Sequence, residues 1–366
     1  GLILHVFGRG NNAYRWAGET DVFEAIDAVK RAFPVDERRI LLRGFSMGGA
    51  GAWHLGLHHP ETWCAVEAGA GFTDTIRYLN LKPENLPDYQ KKTLSIYDAV
   101  DVALNAFDLP IAGYGGEIDK QLQASMNIKE ALESLGFKMT TEGLVTRAEG
   151  LDFLHVIGAK TAHRIDPPSA AILKAFRDER AAKGLSLEPR PVRFATYTLR
   201  YNRAPFLSVE RLREHYKRAV VAAVRDADGE TVTITAENVA VLGVDRRLGE
   251  QVRFGDQVLP LRSAVGGLLP LVYFRATEQG WATLDYDQSR HLQENIPPGK
   301  APGLQGPIDD AFRGPFLCVR GTSKPWNPAV QKWADERLER FAATWSQFLR
   351  AELPIKDDRD VTPEDI

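Results

Sequence analysis

Gly44-Phe45-Ser46-Met47-Gly48-Gly49 constrains this chain more than any other stretch. An apolar run, Ile40-Leu41-Leu42, precedes it, and a helix-like segment opens near Ala50. Strand, tight turn and helix are the context that a G-x-S-x-G nucleophile elbow requires. A serine hydroxyl is a weak nucleophile and has to be lifted out of the fold toward a base. A sharp turn does this but crowds the backbone, so side chains at Gly44 and Gly48 are expected to clash there. The turn also aims the first N–H groups of the helix at the serine, where an oxyanion can be stabilised. Ser46 is therefore read as a nucleophile, with the Met47 N–H as an oxyanion donor.

Around the elbow, residues 1 to about 184 alternate strand and helix. Strands are expected at 2–7, 39–43, 65–71, 109–113 and 153–158, and helices from Asp21 to about Phe33, after the elbow, at 122–135 and at 169–180. Such alternation implies a parallel sheet covered by helices on both faces. Residues 74–107 read as a mixed insertion. The texture changes at Gly184–Pro191, a linker. From 190 to about 290, polar and apolar residues alternate between turn signals such as Asp228-Gly229, which reads as a β-rich, sandwich-like module interrupted by one short helix at about 208–216. Residues 292–314 are loop-like. A C-terminal segment, 307–366, combines a strand at 315–320 with a long helix at 327–350. Its stripe of Val330, Trp333, Ala334, Leu338, Phe341, Trp345 and Phe348 is expected to pack as core.

At 366 residues the chain is long enough for two or three domains. The net charge of −3 advertises neither nucleic acid nor an anionic membrane. No apolar run approaches a membrane span. Cys64 and Cys318 are far apart and read as two buried free thiols. The chain starts at Gly1, and Thr362-Pro363 resembles the opening of a further helix. Both ends read as cuts through a longer protein, so a leader and the cellular location stay open.

A nucleophilic serine needs a base and an orienting acid, in the order Ser, Asp, His for this elbow. Catalytic groups on an open parallel sheet lie at the carboxyl ends of its strands. Glu117 and Asp119 follow strand 109–113, and Asp119, at the far side of the Gly115-Gly116 turn, is the preferred acid. His163 stands in a small-residue loop after strand 153–158 and is the preferred base. His54, His58 and His59 follow the elbow and are read as structural. His5 and His155 are expected inside strands, and His215 and His291 belong to the later segments. Arg9 and Asn11 are candidate substrate contacts, with a loop ion pair and a turn residue as the equally weighted alternative. Tyr14 and Trp16 are considered for an acyl pocket.

With these residues in hand, the first half of the chain resembles the α/β-hydrolase superfamily. More narrowly it is similar to the prolyl oligopeptidase-like serine hydrolases, which shade into bacterial esterases. The stretches carrying the resemblance are Gly8-Arg9-Gly10-Asn11, Gly18-Glu19-Thr20-Asp21-Val22, Asp36-Glu37-Arg38-Arg39-Ile40, the elbow itself, Gly116-Glu117-Ile118-Asp119 and Thr161-Ala162-His163. The resemblance implies an α/β-hydrolase-type parallel sheet, N-terminally truncated, in a domain 1–184. A β-rich module 190–290 and the C-terminal segment 307–366 follow it. It makes strand 2–7 the fourth of the usual eight and puts the third strand, with its oxyanion loop, upstream of Gly1. Losing one such donor costs on the order of 3 kcal/mol of transition-state stabilisation.

The expected chemistry is acyl transfer through Ser46, His163 and Asp119, for which no metal and no cofactor is needed. The preferred substrate is a carboxylic ester, a plant-polysaccharide-linked one among the options. A prolyl oligopeptidase-like peptidase is the first alternative, and a non-catalytic binding protein on a hydrolase fold the second. No nucleic-acid partner and no membrane span are expected, and the oligomeric state is open.

Overall fold

A computed structural model describes residues 1–262 and 270–365. They divide into two compact units, one of Val35–Gln305 and one of Gly1–Pro34 with the chain from Gly306 onward. In the latter, helix α1 (Ala17–Ala32) carries Glu19 in its first turn and Lys30 and Arg31 in its last, charges that suit the helix dipole. The loop before it is tied down where Gly8 N–H donates to Asp21 Oδ2 at 2.8 Å. The strand expected at 2–7 is not formed. Its composition suits a strand, but a strand exists only where a neighbouring backbone completes the ladder. Leu2, Ile3, Leu4 and Phe7 are exposed, and so is His5, which had been expected inside a strand.

The larger unit begins with the sheet that carries the elbow. Its strands are β1 (Leu41–Phe45), β2 (Ala65–Gly69), β3 (Ile111–Gly116), β4 (Met139–Glu142), β5 (Val145–Ala148) and β6 (Phe153–Gly158), in the order β1-β2-β3-β6-β5-β4. β1, β2, β3 and β6 run parallel. β5 and β4 turn antiparallel at the far edge, so the sheet is mixed where pure parallel pairing was expected. Helices α2 (Met47–His58) and α5 (Leu122–Ser134) lie on the face of Gly113 and Gly115, where a Cβ would meet Trp53 and Leu122. α6 (Pro167–Lys183) covers the opposite face, packing Leu173 and Phe176 against Ala112, Tyr114, Leu154 and Val156. Between β2 and β3, residues 74–107 form α3 (Thr75–Tyr78), α4 (Asp88–Tyr97) and two 3-10 segments, Pro83–Asn85 and Ala99–Phe107.

Ten further strands build the β-rich module: β7 (Val192–Thr196), β8 (Arg203–Ala204), β9 (Leu207–Leu212), β10 (Ala219–Arg225), β11 (Thr231–Glu237), β12 (Val239–Asp245), β13 (Gln251–Phe254), β14 (Gln257–Pro260), β15 (Leu271–Thr277) and β16 (Gly280–Thr283). They pair as two five-stranded sheets, β14-β13-β11-β10-β7 and β16-β15-β12-β9-β8. Phe194, Val221, Val232 and Ile234 of one sheet meet Val209, Leu242, Val244 and Phe274 of the other in one buried core, as a sandwich requires. The helix expected at 208–216 is instead β9, bonded to β12. The charged run Glu210-Arg211 mimics a helix surface, yet Leu207, Val209 and Leu212 are buried through sheet pairing. A short helix, α7 (Tyr286–Gln293), closes the module with a capping box from Asp285 to Gln288.

The other unit resumes with β17 (Cys318–Arg320), α8 (Pro328–Leu349) and β18 (Ile355–Asp357), the two strands pairing parallel. Asn327 caps α8 by accepting from Ala329 N–H and Val330 N–H, with Pro328 at the first helical position. The aromatic stripe of α8 is not a core face, since no residue of this helix is buried. It splits in two. Phe341 and Trp345 pack on Phe312 and Phe316, while Val330, Trp333 and Phe348 stay exposed. Cys64 is buried and Cys318 only partly so.

Candidate active site

The turn read as an elbow falls between the end of β1 at Phe45 and the start of α2 at Met47. Ser46 takes φ 58° and ψ −119°, a strained conformation for a residue with a side chain, and α2 starts at the next residue. Ser46 N–H donates to Gly69 O at 2.9 Å, and Ala50 N–H returns to Ser46 O at 3.0 Å. A Cβ on Gly44 would stand 1.8 Å from Gly48 O, and one on Gly49 would stand 2.0 Å from Gly69 O. Gly48 itself has open space where its Cβ would be. The clash expected at Gly44 and Gly48 thus falls at Gly44 and Gly49, because the helix start leans on β2 through the later glycine. Met47 opens α2, so its N–H has no carbonyl four residues back within the helix.

The strand ends β3 and β6 carry the other two groups. Tyr114, Gly115 and Gly116 extend β3 past the expected end at Gly113, so the turn bearing Asp119 starts directly from Gly116. Asp119 N–H closes that turn on Gly116 O at 3.0 Å. Asp119 Oδ1 accepts from Gln121 N–H at 2.9 Å. Its Oδ2 lies 2.8 Å from His163 Nδ1. His163 Nε2 lies 2.8 Å from Ser46 Oγ. The Asp119 side chain is only 5% exposed and that of His163 is 44% exposed, so the carboxylate is shielded while the imidazole is open to solvent. The two ring nitrogens of His163 thus face different partners, Nδ1 the Asp119 carboxylate and Nε2 the Ser46 hydroxyl.

Neighbouring groups hold this arrangement. The Phe45 ring lies against His163 with centroids 5.0 Å apart. Gly69 leaves room for it, since a Cβ there would come within 2.8 Å of Phe45. Behind the histidine loop, Tyr114 donates its hydroxyl to Arg164 O at 2.7 Å. Burial pushes the Tyr114 phenol up to about 12, which keeps it a neutral donor. The rival carboxylate, Glu117, accepts from Lys160 N–H at 2.6 Å and is not bonded to His163.

His54 and His58 are buried structural residues, His58 with its ring nitrogens against His54 O and Ile96 O. His155 is buried on β6 with Nε2 2.9 Å from Ser125 Oγ. Arg9 and Asn11 belong to the other unit, where Arg9 pairs with Asp21 at 3.2 Å and Asn11 is exposed. Neither Phe45 nor Tyr114 stood out in the sequence, because their roles rest on contacts across strands. Among the described residues no group of three or more histidine, cysteine or carboxylate side chains is gathered to hold a metal ion. No helix of these residues is long and apolar enough to cross a membrane.

Residues 9–100 match the model of the prolyl oligopeptidase family, in agreement with the resemblance drawn from the elbow and its flanks. No curated protein matches the chain in sequence. Among solved structures it is similar to an S-formylglutathione hydrolase from Staphylococcus aureus, at 16% identity over 44% of this chain and 63% of that one, with a TM-score of 0.32. It is also similar to a ferulic acid esterase, at 16% identity over 44% and 59%, with a TM-score of 0.31. A third likeness is to a candidate dipeptidyl aminopeptidase IV from Bacteroides ovatus, at 18% identity over 48% and 24%, with a TM-score of 0.34. The matched part thus spans less than two thirds of each of these structures. The architecture is of the α/β-hydrolase type: a mainly parallel sheet bearing the elbow, followed by β-rich sheets.

Proposed function

We propose that this protein is a serine hydrolase that works through an acyl-enzyme, with Ser46 as nucleophile, His163 as base and Asp119 as the orienting acid. The observation that carries the reading is the pair of 2.8 Å contacts, Ser46 Oγ to His163 Nε2 and His163 Nδ1 to Asp119 Oδ2. Their order is that of a proton relay in which the serine proton has one place to go. The match of residues 9–100 to a family of serine hydrolases supports it.

In this reading Ser46 Oγ attacks the substrate carbonyl while its proton moves to His163 Nε2. Asp119 stabilises the imidazolium that forms. The Met47 N–H, at the positive end of α2, faces the developing oxyanion. His163 then gives the proton to the leaving group, and the Ser46 ester remains. Water repeats the sequence and releases the acid. The substrate we favour is a carboxylic ester, which the 44% exposed His163 leaves reachable from solvent. The second reading, a peptidase, is favoured by the prolyl oligopeptidase match.

A fluorophosphonate probe tests the nucleophile. Wild type is expected to label, and Ser46→Ala is expected not to; labelling that survives the substitution removes Ser46 from the role. Turnover of a p-nitrophenyl ester beside a proline p-nitroanilide separates esterase from peptidase.

A further inference from the structure

We propose that Glu117 is a positioning residue of this site: its carboxylate staples the loop that bears His163 to the turn that bears Asp119. The inference rests on the triad reading above. Asp119 and His163 hang from different strands, β3 and β6, so their 2.8 Å contact depends on how two loops hold each other. The backbone supplies part of the hold. Glu117 N–H donates to Gly158 O at 2.9 Å, and Ile118 N–H donates to Thr161 O at 3.1 Å. Both bonds meet the loop on either side of Lys160. Lys160 stands at the tip of a turn closed by Thr161 N–H on Gly158 O at 3.2 Å, with a left-handed φ of 49°. That conformation is uncommon for a residue with a side chain. The Lys160 N–H donates to Glu117 Oε2 at 2.6 Å.

The three bonds tie residues 117 and 118 to 158, 160 and 161, in the stretch that leads directly into His163. Glu117 thus has a task that excludes it from the acid's place, which explains two carboxylates on one turn. A surface hydrogen bond of this kind has a small effect on folding. Its effect on reactivity is larger, because a misplacement of about 1 Å between reacting groups lowers rates by about 100-fold.

The test compares wild type with Glu117→Gln, Glu117→Asp and Glu117→Ala. Active sites are counted by fluorophosphonate titration, and kcat and KM for p-nitrophenyl acetate are expressed per titrated site. Gln keeps an acceptor oxygen at the same reach and is expected to stay within about threefold of wild type. Ala has no acceptor, and Asp is one methylene short. Both are expected to lose about tenfold or more in kcat with KM within about twofold. A purely structural residue would lower the number of titrated sites and leave kcat per site unchanged, and that result overturns the proposal. So does a Gln variant as slow as Ala. Should the Ala variant fail to fold, the Gln and Asp pair decides alone. A wild type that does not label defeats the triad reading and the staple with it, whereas wild-type labelling with unchanged kcat in all variants defeats the staple only.

Discussion

Gly116 and Ala162 meet backbone to backbone: a Cβ on Gly116 would stand 2.3 Å from the Ala162 carbonyl oxygen and equally close to that of Thr161. The acid turn and the base loop therefore touch at a point where only glycine fits. Gly116→Ala must push the loop outward. We expect about 1–3 kcal/mol of lost stability from overpacking and a loss of activity of more than about tenfold, since His163 follows Ala162. Urea unfolding and ester turnover on the same preparation check both.

Asp119→Asn keeps the shape of the acid while allowing His163 to settle in the wrong tautomer. Its Oδ1 bond to Gln121 N–H can survive, so the turn should hold. The expected result is a fall in kcat of about 10³–10⁴, with a melting temperature close to wild type. A fall in melting temperature matching the loss of activity would contradict the role given to Asp119.

Asn105 joins the first sheet's layer to the β-rich module. Its Nδ2 donates to Leu57 O and Ala195 O at 2.8 and 3.0 Å, and its Oδ1 accepts from Ala195 N–H at 2.7 Å. The side chain is 1% exposed. Asn105→Ala leaves three buried backbone groups without this partner, at about 1–3 kcal/mol for each group that finds no other. We expect the urea midpoint to fall by an amount equivalent to about 3 kcal/mol with the slope unchanged.

His155 makes stability depend on pH. Ser125 donates its hydroxyl to Leu122 O at 3.1 Å, so His155 Nε2 carries the proton toward Ser125 Oγ. Its Nδ1 is buried with no hydrogen-bond partner. Burial, aided by Lys129, lowers its pKa from 6.5 to about 4. A lowered folded pKa means that the unfolded chain binds the proton first. The stability this contributes is present above pH 6.5 and is lost as pH falls through about 4, about 3 kcal/mol in all. His155→Gln should shrink the difference between urea midpoints at pH 7 and pH 4.5 by most of that amount.

Asp101 works in the opposite sense. Burial and the nearby Asp98 carboxylate raise its pKa from 3.8 to about 6. A raised folded pKa contributes stability that is full below pH 3.8 and lost as pH rises through about 6. Asp101→Asn should therefore be more stable than wild type at pH 7, by roughly 1–2 kcal/mol after solvent screening, and no more stable near pH 3.5. Thermal unfolding at the two pH values checks the sign.

That Ser46, Asp119 and His163 each follow a strand end was legible in the sequence, because short motifs and glycines mark those turns. The sheet was legible from the alternation of apolar runs. The hairpin β4–β5 was not, since Met139–Glu142 and Val145–Ala148 are short, largely polar strands with mixed exposure, β4 forming the sheet edge. β9 was hidden by Glu210-Arg211, and β3 was cut short because glycines conceal a strand whose neighbours need the space. Strand 2–7 and the stripe of α8 were over-read: composition states what a segment could bury, while pairing and packing decide whether it does. Glu117 was visible only as a rival acid, because its partner is a backbone N–H that no motif reports.

Under the proposed mechanism Ser46 carries an acyl group during turnover. Rapid mixing of the protein with p-nitrophenyl acetate measures it directly. The expected result is a burst of p-nitrophenolate close to one equivalent per site, a Ser46-containing peptide heavier by one acetyl group after acid quench, and neither in Ser46→Ala. A linear release with no burst and no acetylated peptide, or the acetyl group found on another residue, would contradict it.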